Sequence, residues 1–168
     1  MSLNKTIHNL LSELAKVEVI RANQSGKQPT KPFMTYEVKW DKTPDHFHYS
    51  KINTQGEQVI STHVESLLEV QCFGVGAVDR MRELLIKLAS YNERLKWINA
   101  GVVIVKEGTL SNQPFLNEAQ KFEERAITEI SIRHKLATTD LIDYFNRVEI
   151  TDEDTKQTQI TGVVNGKD

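Results

Sequence analysis

The sequence predicts an α+β fold, a mixed and mainly antiparallel β-sheet packed against two main helices. Three patterns carry that prediction. Residues 1–16 repeat Ile7, Leu10, Leu11 and Leu14 along one helical face. Residues 67–73 place Leu68, Val70 and Cys72 in alternation with Glu69, Gln71 and Phe73, the period of a strand with one buried face. Residues 77–88 return to helical spacing through Met81, Leu84, Leu85 and Leu88. With 168 residues the chain suits one domain, and a domain of that size buries roughly 70 % of its unfolded surface. The domain is expected over 1–150, followed by a polar, flexible tail over 151–168 that has no aromatics.

The elements follow in order. The first helix has Ser2 or Asn4 as its cap. Residues 17–20 either close it or begin an extended piece. Residues 21–31, rich in Gly, Pro and polar side chains, read as a loop. Pro32 leads into a strand with Met34, Tyr36, Val38 and Trp40 on one face. A turn over 41–45 precedes a second strand with Phe47, Tyr49 and Ile52, a turn follows over 53–57, and the third strand covers 59–73. After the second helix, 90–99 is irregular or briefly helical. Val102 to Val105 is a continuous apolar run, the pattern of a strand buried on both faces. A loop over 108–120 leads to a long strand over 122–134 with Ala126, Ile130 and Ile132 inward. One further helical turn over 139–145 precedes an extended 148–150, and Ile160, Val163 and Val164 leave room for another strand in the tail.

Composition excludes several classes. A net charge of -2 provides no field to recruit nucleic acid or an anionic membrane. No apolar run approaches the roughly 20 residues a membrane span needs, and the N-terminal segment is amphipathic rather than a signal peptide. The one cysteine, Cys72, forms no intrachain disulfide and fits a reducing, cytoplasmic setting.

The segment 67–88 has the strand, Gly-x-Gly turn and helix of a phosphate loop, yet the residues argue against one. Asp79 falls in the first helical turn, where its carboxylate stabilises the helix and repels a phosphate. The third glycine of the fingerprint would stand at position 79, and no Gly-Lys-Ser/Thr follows. His46 and His48, two apart on a strand, share a face that His63 could join as a three-histidine metal site, but surface histidines on a hairpin are commonplace. Cys72 lies on the apolar face of its strand, as a buried small hydrophobe does. Glu123 and Glu124 face opposite ways on a strand and do not form an acid/base pair. A salt bridge from Glu124 or Arg125 to a neighbour, within or between subunits, is the better expectation. No catalytic, metal or cofactor site is expected.

Three segments remain. Arg21-Ala22-Asn23-Gln24 with Gly26 leads to Pro32 and a strand carrying Tyr36. Val70 to Asp79 contains Gln71, Gly74, Gly76 and Ala77. Glu123-Glu124-Arg125-Ala126 is followed by Glu129-Ile130. In this order, and over about residues 6–150, they resemble the phage neck (tail) terminator family. The resemblance implies a small subunit, a sheet against helices, that forms a ring, typically a hexamer. That ring caps the finished tail tube, stops its polymerisation and offers the surface that joins the head connector. Implied partners are further copies of the chain, the tail tube protein and the connector and neck proteins. The implied location is the virion neck, with the host cytoplasm during assembly. Carried over by position, the assembly candidates are Arg21, Asn23, Gln24, Pro32, Tyr36, Gln71, Gly74, Gly76, Asp79, Glu124 and Arg125, with Ala77 also falling on the second motif.

A heterologous contact that closes by rotation makes such a ring. The strand over 122–134 is expected to offer an open edge for pairing between subunits. The 24–32 loop and the 41–57 hairpin are expected to project toward the tube or neighbouring subunits. Competing readings are another small head–tail joining protein, a non-catalytic α+β binding module and, less favoured, a metal-dependent enzyme.

Overall fold

A computed structural model describes residues 2–42, 44, 46–116, 121–142, 149–151 and 158–160. The chain order is α1 (Leu3–Leu14), β1 (Glu18–Arg21), β2 (Phe33–Asp41), β3 (His48–Tyr49), β4 (Glu57–Phe73), α2 (Ala77–Leu88), α3 (Tyr91–Asn99) and β5 (Val102–Glu107). There follow β6 (Ser111–Asn112), β7 (Phe115–Leu116), β8 (Phe122–Glu123), β9 (Arg125–Leu141), β10 (Glu149–Thr151) and β11 (Thr158–Ile160). The fold is α+β, as the periodicities predict. The chain forms two compact units, one of residues 1–44 and 63–135, the other of 45–62 and 136–168.

The first unit holds the core. Its sheet runs β1-β2-β4-β9-β5. β1 joins β2 in parallel, with Arg21 opposite Tyr36, while β2 and β4 are antiparallel, with Phe33 opposite Phe73. β4 and β9 also run in opposite directions, because Ser66 meets His134 while Gly74, just after β4, meets Glu124, just before β9. Met34, Tyr36, Leu68, Val70, Cys72, Ala126, Ile130, Ile132 and Ile104 project from one face. Against them pack Ile7 and Leu11 of α1, Met81, Leu84 and Leu88 of α2, and Trp97 of α3. Burial of this kind contributes about 1.5–3 kcal/mol per large side chain before entropy is counted.

Local chemistry sets the helix boundaries. The Ser2 hydroxyl accepts from the Lys5 N–H at the start of α1. Ser90 does the same for α3 through the Glu93 N–H, making 91–99 a regular helix. Gly76 begins α2 at φ 76 without a side-chain cap of its own.

Several expectations are corrected. Val102 and Ile104 are buried, but Val103 and Val105 are 42 % and 44 % exposed, so β5 is buried on one face only. The reason is its position: β5 ends the sheet, and helices cover a single face. The strand expected over 122–134 is broken at Glu124 and its main part offers no open edge there, because β9 pairs with β4 on one side and with β5 and β6 on the other. Among the described residues β1 and β5 end the main path of this sheet, and β3 and β6 each pair with one strand. Residues 139–141 belong to β9 and are not a helical turn; the rest of that expected turn, 143–145, lies outside the described residues. The second strand contracts to His48 and Tyr49.

The second unit consists of β3 on the first part of β4, the last part of β9, and the antiparallel pair β10 and β11. In the tail, 158–160 is therefore a strand, whereas Val163 and Val164 lie outside the described residues.

Candidate functional site

The three sequence segments converge on the Gly-x-Gly turn between β4 and α2. Gly74 donates its N–H to the Glu124 carbonyl at 3.0 Å, and Gly76 donates its N–H to Glu124 Oε2 at 2.8 Å. Glu124 therefore holds both glycines, one through its backbone and one through its carboxylate. Gly74 has φ +99, and a Cβ there would stand 3.0 Å from Lys31 Cβ and 3.3 Å from Pro32 Cα. Only glycine permits both the angle and the approach. The end of the first segment thus lies directly against the second, and the third bonds to it.

This geometry explains why the turn is not a phosphate loop. The anion beside the start of α2 is the protein's own Glu124 carboxylate, bound to the first free N–H. Asp79 adds a second carboxylate in the first turn, paired with Arg82 at 2.8 Å.

Around the turn, Lys31, Pro32, Gly74, Val75, Phe122, Glu123 and Glu124 line an open cleft of about 300 Å³. Lys31 and Glu123 form an ion pair across it. Val75 and Phe122 stand at its rim, 83 % and 80 % exposed. Behind it Phe33 stacks on Phe73 at 4.9 Å, and Phe73 meets Phe115 edge-on at 6.1 Å. Lys31 and Arg125 lie over the Phe115 ring at 5.9 Å and 5.6 Å, within cation–π range. Arg125 also donates from Nε to the Gln113 carbonyl. Glu123, next to Glu124, is the residue that pairs with Lys31 here.

The other sequence candidates serve separate places. Asn23, at φ 58, donates from Nδ2 to Glu37 at 2.9 Å, and the neighbouring Ala22 N–H donates to the Tyr36 carbonyl. Tyr36 donates its hydroxyl to the Asn4 carbonyl at 3.0 Å, tying β2 to α1. Burial pushes the Tyr36 phenol pKa up, with the Arg21 charge acting in the opposite direction. Gln24 is exposed in the loop. Gln71 donates to Glu69 along the half-buried outer face of β4. Pro32, Gly74 and Glu124 therefore share the cleft and Gly76 joins it through Glu124, while Arg21, Asn23, Tyr36 and Gln71 do not. Lys31, Val75 and Phe122 complete the cleft, and their only sequence signal is their place in or next to the motifs; Phe115, packed on Phe73, has none.

One polar cluster has no local signature. Ser66, fully buried, donates to Asp41 Oδ1 at 2.5 Å and lies 2.9 Å from His134 Nε2. The single hydroxyl proton goes to the carboxylate, so Nε2 brings its own proton to the contact. Histidine is then a donor and not a base toward Ser66, the reverse of a nucleophile pair. Cys72 is also fully buried, and burial pushes its thiol pKa up, away from a reactive thiolate. His46, His48 and His63 are exposed, and no group of three metal-ligating side chains occurs among the described residues. No helix among the described residues is long and apolar enough to cross a membrane.

No curated protein matches the chain. Residues 1–156 match the family model of the phage neck terminator protein, which covers the sheet, all three helices and the whole Glu124-clamped turn. The chain belongs to the phage neck terminator family, structural proteins of the tail and neck of the phage particle.

Proposed function

We propose that this protein caps the phage tail tube as a ring of identical subunits, six in the arrangement the resemblance implies. The ring ends tube polymerisation and presents the surface that the head connector engages. The family match over residues 1–156 carries this reading. The geometry supports it in two ways. Three chemically capable side chains are engaged in internal contacts: Glu124 with the glycine turn, Ser66 with Asp41, Cys72 with the core. The main path of the sheet also ends in β1 and β5, each paired on one side among the described residues, and a strand of that kind can pair with a neighbouring subunit. The protein acts by binding rather than by catalysis, and needs no cofactor. Its partners are further copies of itself, the tube protein and the connector and neck proteins, which it meets in the host cytoplasm during assembly. The assembly candidates at the cleft, Pro32, Gly74, Gly76 and Glu124, shape a contact surface whose exposed apolar members are Val75 and Phe122.

Deleting the gene from its phage and imaging the particles by electron microscopy tests the reading. Overlong or unjoined tails are the expected result; normal virions would overturn it.

A further inference from the structure

We propose that the second unit is an assembly arm that docks on the first unit of a neighbouring copy. The proposal rests on the ring reading and names the contact that builds the ring.

The arm has no cover of its own among the described residues. Residues 136–141 of β9 extend about 20 Å along the strand, and all six are exposed. In the stretches 46–61 and 136–141 only Gly56 is buried. Phe47, Tyr49, Ile52, Val59, Leu136 and Leu141 are all large and exposed, Tyr49 by 63 % and Leu141 by 72 %. β5 and β6 pair with β9 only between Ala126 and His134, which leaves 136–141 with an open edge among the described residues. A short ribbon without a packed face is marginal in water, and a partner must supply the missing cover.

Charge selects the partner. The described residues of the second unit carry Glu57, Asp140 and Glu149 against Lys51, a net -2. The segments 1–44 and 63–135 contain 17 Lys and Arg against 14 Asp and Glu, a net +3. Arm against arm sets like charge against like; arm against the first unit of another copy sets opposite charges together. That contact uses different surfaces on the two copies, and a heterologous contact of this kind closes into a ring when its rotation permits.

The test uses the full chain. Oligomer mass is measured by light scattering for the wild type, for Tyr49→Ser with Leu141→Ser, and for Asp140→Lys, with circular dichroism confirming that each variant is folded. Both variants are expected to weaken self-association by roughly tenfold or more. In mixed isotope-labelled and unlabelled protein, carbodiimide is expected to join Asp140 or Glu57 of one copy to lysines of residues 1–44 or 63–135 of another. Folded variants that form the ring as well as wild type would overturn the arm and leave the ring reading standing. Crosslinks from arm to arm, or from the arm to tube protein alone, would also overturn it. Wild-type protein that stays monomeric at every concentration, with and without tail tubes, would remove the ring reading and the arm together.

Discussion

Glu124 holds Gly74 through its carbonyl oxygen and Gly76 through its carboxylate, at 3.0 Å and 2.8 Å, so one residue of the third motif fixes both glycines of the second. The two glycines differ in what a side chain would meet. Gly74→Ala forces a Cβ against Lys31 and Pro32 at φ +99 and is expected to destabilise the fold by about 1–3 kcal/mol. Gly76→Ala meets nothing within 4 Å and pays only for φ +76, about 1 kcal/mol. Denaturant unfolding of the two variants checks the order, and equal losses would contradict it.

Removing the Glu124 carboxylate leaves the Gly76 N–H to water at the start of α2. Glu124→Ala is expected to lose about 1 kcal/mol, and Glu124→Gln, which retains an acceptor, less than that. Hydrogen exchange at Gly76 should speed up in Glu124→Ala while exchange at Gly74, bonded to the backbone carbonyl, changes little.

Ser66 mediates between Asp41 and His134 inside the sheet. Ser66→Ala leaves the buried His134 ring nitrogen without its acceptor, and a loss of about 1–3 kcal/mol follows. Thermal unfolding measures it; an unchanged midpoint would show that the hydroxyl contributes nothing.

Glu83 bonds Lys16 at 2.8 Å and Lys87 at 2.9 Å, and these ammonium groups lower its pKa from 4.5 to about 2. A depressed carboxylate contributes stability above its unfolded value, near 4.5, and the contribution disappears as pH falls through about 2. The group is exposed, so the effect is small and weakens with salt. An NMR titration should place the Glu83 midpoint near 2 in the wild type, and Lys16→Ala should move it up toward 4.5.

Cys72 is buried with its thiol pKa raised by desolvation. In the native protein at neutral pH it should react with a disulfide reagent only as fast as the structure opens, and on denaturation at the rate of a free thiol. Immediate stoichiometric reaction of the native protein would contradict this burial.

The parts legible in the sequence were those with a local cause. Ile7, Leu11 and Leu14 mark α1, Leu68, Val70 and Cys72 mark β4, and Met81, Leu84 and Leu88 mark α2, because a helix or strand repeats its buried face at a fixed spacing. The unsuitability of the glycine turn for phosphate was likewise readable from Asp79. The site was legible only in part. Pro32, Gly74, Gly76 and Glu124 were identified as motif members, but no spacing reveals that Glu124 reaches across 48 residues to Gly76.

Secondary structure, the three motifs and the absence of a fingerprint glycine were thus determined by the residues themselves, through periodicity, backbone preference and charge. Tertiary structure decided the rest, because neighbours in space are unrelated to neighbours in the chain. The apolar run Val102 to Val105 became a one-sided strand when β5 took the sheet edge, and β9 lost its expected edge when β5 and β6 paired with it. That pairing stops at His134 and leaves 136–141 exposed, and the distant Asp41, Ser66 and His134 met across β2, β4 and β9. Each outcome depends on which strand lies alongside which, information that local sequence does not contain.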